Sequence, residues 1–89
     1  MPRVEFTPNL ARQTQAPSCE VGGSTVAEAL NEVFRQVPGL RSYVLDDQGA
    51  VRTHVVIFVD GSTIRDRARL SDTLRPDSEV FVMQALSGG

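Results

Sequence analysis

Lysine is missing altogether: all nine basic residues are arginine, set against eleven acidic ones. No side-chain amine is therefore available to accept an isopeptide bond or to form a Schiff base. Cys19 is the only cysteine, which excludes an internal disulfide and a cysteine-based metal cluster. His54 is the only histidine and has no nucleophile beside it, so catalysis is not expected of it. Met1 to Gln15 holds no continuous apolar stretch, so no secretory signal is expected. No run reaches the length of a membrane-spanning helix, and the expectation is a cytoplasmic protein without membrane association. A formal charge of −2 and a pI of about 5.2 make nucleic acid a poor partner. Gly22-Gly23-Ser24-Thr25 lacks the lysine of a phosphate-binding loop, so any ATP chemistry belongs to another protein. Asp46-Asp47 and Asp60 coincide with turn signals that account for them, and no metal site is expected.

What is present suits one small domain. A chain of 89 residues buries roughly 60–65% of its unfolded surface, so its core is thin. Arg3 to Thr7 alternates, with Val4 and Phe6 on one face, as a half-buried strand does. Pro8-Asn9 breaks it, and Leu10 to Gln15 reads as a polar turn region. Pro17 to Val21 is expected to pair back as a second strand, with Cys19 and Val21 on one face and Cys19 as a small core residue.

The clearest element is a helix from Val26 to Val37. Thr25 and Glu28 form a capping box, in which hydroxyl and carboxylate satisfy free backbone N–H groups reciprocally. Val26, Leu30, Val33, Phe34 and Val37 recur along one stripe, and Pro38-Gly39 ends the run. Leu40 to Leu45 reads as a connector that tucks Leu40, Val44 or Leu45 under the sheet. Asp46 to Gly49 is a turn, and His54 to Val59 is rich in β-branched residues, as a central strand should be. Asp60-Gly61 signals a tight turn before a short edge strand, Ser62 to Arg65, with Ile64 inward. Leu70 and Leu74 suggest one helical turn within Asp66 to Thr73. Glu79 to Leu86 is the last strand. The organisation expected is a domain over residues 1–86 and a flexible tail over 87–89, with α+β layer packing of one main helix on a mixed sheet.

That order, running from the last strand into Gly88-Gly89, resembles the β-grasp, ubiquitin-like sulfur carriers. They include the molybdopterin synthase small subunit, the thiamin-pathway carrier and carriers for cysteine synthesis. The matching segments are Thr25-Val26-Ala27-Glu28-Ala29-Leu30, Phe58-Val59-Asp60-Gly61, and Asp77-Ser78-Glu79-Val80-Phe81-Val82 leading to Ser87-Gly88-Gly89. Relatives often carry a proline before the diglycine, where this chain has Gln84-Ala85-Leu86-Ser87. The subfamily and the sulfur acceptor stay open on that account.

The resemblance implies a carrier and not an enzyme, with no cofactor bound by this chain. A ubiquitin-activating-type adenylating enzyme would use ATP on the Gly89 carboxylate, helped by the slender Gly88. Conversion to a thiocarboxylate would follow, for delivery to a sulfur-accepting synthase subunit in molybdenum cofactor, thiamin or cysteine synthesis. It also implies that Val55, Ile57, Val59, Val80 and Val82 face the helix. Val56, Phe58, Phe81 and Met83 would then form an exposed patch on the opposite sheet face, which with Leu86 and Ser87 would bind partners. The alternatives are a protein modifier conjugated through Gly89 and a β-grasp interaction module with an inert tail.

Overall fold

The computed structural model describes residues 1–6 and 19–84. Alternation in the first strand is realised as β1, Arg3–Phe6, with Val4 and Phe6 buried. It pairs antiparallel with β2, Cys19–Glu20, through Arg3 opposite Glu20 and Val4 opposite Cys19. The second strand is shorter than expected. Val21 lies beyond it, buried, with its N–H donated to the Pro2 carbonyl. The expected break and turn over Pro8 to Gln15, the start of that strand at Pro17 and the facing of Cys19 lie outside the described residues and side chains.

Helix α1 spans Val26–Gln36 and buries Val26, Ala29, Leu30, Val33 and Phe34. Thr25 caps it by accepting the Glu28 N–H at 3.2 Å. The return bond differs from the expected box. The Glu28 carboxylate accepts chiefly from the backbone N–H and hydroxyl of Ser24, one residue before the cap. Val37 lies just past the helix as its C-cap and still donates to the Val33 carbonyl.

The connector after α1 folds more tightly than the sequence suggests. Pro38–Leu40 is a 3₁₀ turn and α2, Arg41–Val44, follows it, with Leu40, Val44 and Leu45 all buried. In the next turn the Asp46 carboxylate accepts from the N–H groups of Gln48 and Ala50, with Gly49 at φ 84°. Strand β3 is Val55–Val59. His54 falls in the turn before it, because Val55 N–H closes back on the Arg52 carbonyl. A two-residue turn with positive φ at both Asp60 and Gly61 leads to β4, Ser62–Thr63, matching the twist of a tight hairpin. Ile64 points inward, as expected.

Within residues 66–73 the Leu70 N–H donates to the Asp66 carbonyl, closing the single helical turn expected there, which goes no further. Leu70 adopts φ 56°, which breaks a right-handed helix. The physical reason lies in α1: the Asp72 and Leu70 carbonyls accept the N–H groups of Val26 and Ala27. Those donors have no partner within the helix, so the segment is bent to satisfy them. Leu70 and Leu74 are nonetheless buried, which preserves the apolar spacing that suggested a helix.

Strand β5, described as Glu79–Gln84, runs parallel to β1 and antiparallel to β3. The sheet order is β2-β1-β5-β3-β4. The core lies between α1 and one face of the sheet, where Val4, Phe6, Val55, Ile57, Val80 and Val82 meet the α1 stripe. Val59 packs against that core half-buried. This is the β-grasp arrangement, a mixed sheet wrapped on one main helix. No helix among the described residues is long and apolar enough to cross a membrane.

Candidate functional site

Strand alternation decides what the other face of the sheet carries. Val56 lies opposite Met83 and Phe58 opposite Phe81 across the β3–β5 ladder, so the four side chains share one surface. They are half-buried and stand outside the core. The patch is thus less exposed than the sequence predicts, because its large side chains shield each other. Parallel pairing brings Glu5 beside Phe81 and Arg3 beside Glu79, while Thr63 flanks Phe58 from β4. A shallow depression of about 370 Å³ is lined by Glu5, Phe58, Gly61, Glu79, Phe81 and Met83.

Asp60 braces one end of this surface. Its carboxylate accepts from the Glu79 N–H at 2.9 Å, the Ser78 hydroxyl at 3.0 Å and the Arg75 guanidinium at 3.4 Å. The β3–β4 turn is thereby tied to the start of β5. The Glu79 N–H chiefly, and then Ser78 and Arg75, outweigh partial desolvation and hold the Asp60 carboxyl below its ordinary range. Ser78 is almost fully buried, and its oxygen also accepts the Arg75 N–H.

Glu28, Asp66 and Asp72 serve turns and caps. Ser24 N–H and hydroxyl lower the Glu28 pKa, and the Ser71 hydroxyl followed by the Arg69 N–H lowers that of Asp66. Asp72 accepts from the N–H groups of Arg65 and Asp66. Among the described residues no group of three His, Cys, Asp or Glu side chains is arranged to hold a metal ion.

Strand β5 occupies the middle of the sheet, so the chain leaves Gln84 beside the patch, one residue beyond Met83. Gln84 Oε1 is buried with no hydrogen-bond partner among the described residues. Of the expected site residues, Val56, Phe58, Phe81 and Met83 are brought together. Leu86, Ser87, Gly88 and Gly89 lie outside the described residues. Sequence reasoning missed Glu5, Gly61 and Glu79 as neighbours of the patch. Only the register of β1 on β5 and the path of the hairpin turn could have revealed them.

Comparison with known proteins gives one family. A model of the ThiS family matches residues 10–89. No curated protein matches the sequence. Among solved structures, SAMP1 from Haloferax volcanii is 23% identical over 99% of this chain and 98% of its own, with a TM-score of 0.80. A chain of the Amycolatopsis orientalis BexX/CysO complex is 19% identical with both chains fully covered and a TM-score of 0.83. Mycobacterium tuberculosis CysO is 18% identical over 97% of this chain and all of its own, at a TM-score of 0.82. At these identities the structures establish a shared fold.

Proposed function

The chain belongs to the ThiS family, and from that premise we propose that it carries sulfur as a thiocarboxylate on Gly89. The observation that carries this reading is the family match, which runs through the diglycine to Gly89. A partner enzyme binds ATP, and a Gly89 carboxylate oxygen attacks the α-phosphorus and expels pyrophosphate. A hydrosulfide equivalent then attacks the acyl carbon and releases AMP, leaving the thiocarboxylate for a synthase subunit of cofactor or cysteine biosynthesis. Gly88 and Gly89 suit a narrow active site because neither presents a Cβ to crowd the approach.

The patch of Val56, Phe58, Phe81 and Met83 is the docking surface in this reading, joined by Leu86 and Ser87 as the tail is drawn in. Five residues follow Gln84, and five residues extend at most about 18 Å. A partner that reacts with Gly89 therefore sits close to the patch.

The decisive experiment is ATP-dependent thiocarboxylate formation by the host's adenylating enzyme on chains lacking Gly89 or carrying one extra residue. One residue moves the reacting carbon by up to about 3.6 Å, as large as the roughly 3–3.5 Å separation of a near-attack pair. Both variants should fail while melting like the wild type. Processing of either at the wild-type rate overturns the assignment of Gly89.

Similarity to SAMP1, described as a small archaeal modifier protein, favours a second reading, conjugation through Gly89 to other proteins. Mass spectrometry of the native protein separates the two. An oxygen-to-sulfur mass gain marks the carrier, and adducts of protein mass mark the modifier. Lacking lysine, the chain cannot build isopeptide-linked chains of itself through lysine.

A further inference from the structure

The outer sheet face can be laid out row by row from the pairing register. One row holds Glu20, Arg3 and Glu79; the next holds Glu5, Phe81, Phe58 and Thr63; the third holds Met83 and Val56. The apolar centre is thus bordered by carboxylate along β1 and at the start of β5, and by neutral Thr63 on the β4 side. Among the strand residues of these rows three glutamates stand against one arginine, a formal charge of −2. Of the other described arginines, Arg65 follows β4 just past inward-facing Ile64, and the rest lie on α1, α2 or the connecting loops. Arg75, near the start of β5, is turned to Asp60 and Asp77. Neither Glu5 nor Glu79 has a side-chain hydrogen bond or ion pair among the described residues.

We infer that this face docks a protein surface whose apolar centre is flanked by arginine or lysine placed to meet Glu5 and Glu79. The inference rests on the docking role proposed above and adds the charge of the partner. Covering Phe58 and Phe81 takes water from the neighbouring carboxylates, and a charge desolvated without a counter-ion is costly. A partner that supplies cations there is accepted, and one that presents neutral or acidic groups is rejected. A second copy of this chain docked face to face would bring two surfaces of like net charge together across a two-fold axis. Lipid or nucleic-acid phosphate would be repelled in the same way.

The test measures Kd for the host's adenylating enzyme by calorimetry between about 50 mM and 500 mM NaCl, a range over which screening grows severalfold. Glu5→Gln and Glu79→Gln should each weaken binding about two- to fivefold at low salt, as exposed ion pairs do, and flatten the salt dependence. Glu5→Arg should weaken it further, and all curves should converge at high salt. Circular dichroism melts of these variants should match the wild type, because neither carboxylate has a partner among the described residues. Phe81→Ala is the control. If it weakens binding while both glutamine variants keep wild-type Kd and salt slope, or bind more tightly, the charge inference fails and the docking reading stands. If Phe81→Ala also binds like the wild type, the docking reading fails. A dimer in sedimentation velocity that is lost on Phe81→Ala substitution would make a second copy the occupant and overturn the inference.

Discussion

Asp60 shows how much one residue can do in so thin a core. Its backbone, at φ 50°, turns the β3–β4 hairpin, and its carboxylate gathers the start of β5. Because its pKa is lowered in the fold, Asp60 stabilises the protein above the unfolded carboxyl pKa of about 3.9. That contribution is lost as pH falls through the lower folded value. Glu28 and Asp66 act with the same sign. Asp60→Asn keeps a residue that tolerates positive φ but removes the charge. The variant should melt lower than the wild type at pH 7, and its midpoint should fall less steeply between about pH 5 and pH 2. Circular dichroism melts across that range decide it. Parallel curves would show that the carboxylate is not what links the turn to β5. Asp-Gly announces the turn in the sequence, but the carboxylate's partners, Ser78 and Glu79, lie too far along the chain for local chemistry to name them.

At the scale of the element, α1 is legible almost to the residue because its signals are local. Thr25 caps it, its apolar stripe recurs at helical spacing, and Pro38 follows its end. Leu30 is buried to about 1% exposure in the middle of that stripe. Leu30→Ala should cost about 2–5 kcal/mol, a cavity the surrounding core cannot fully close. Denaturant titration measures it, and a loss near zero would contradict the packing of α1 on the sheet. The segment from Asp66 to Thr73 was less legible. Two leucines four apart suggest a helical turn, and one closes from the Leu70 N–H to the Asp66 carbonyl, but it stops at once in a bend whose carbonyls serve the start of α1. Spacing reports which residues go inside; it does not report which backbone groups another element needs.

Across the whole molecule the register of three strands makes the surface. Phe81 and Phe58 come together only because β5 is inserted between β1 and β3. Phe81 lies on the face away from α1 and is half-buried, so its loss should leave the core intact. Phe81→Ala should weaken binding to the proposed adenylating partner by roughly tenfold or more, as loss of an aromatic anchor does. Its melting midpoint should change little. A sharp fall in midpoint with binding preserved would place Phe81 among the core residues instead.

The sequence by itself determined α1, the five strands and their order, the two faces of β3 and β5, the turns at Asp46 to Gly49 and at Asp60-Gly61, and a diglycine whose family match runs to Gly89. Each of these is written in periodicity or in the chemistry of neighbouring residues. Only the tertiary structure decided that Glu5 and Glu79 border the apolar patch, that Asp60 holds Ser78 and Glu79, and that Leu70 is bent to serve Val26 and Ala27. Those pairings join residues distant in the chain. A one-residue slip of register would carry the opposite set of side chains to each face, and burial of the core is what forbids that slip.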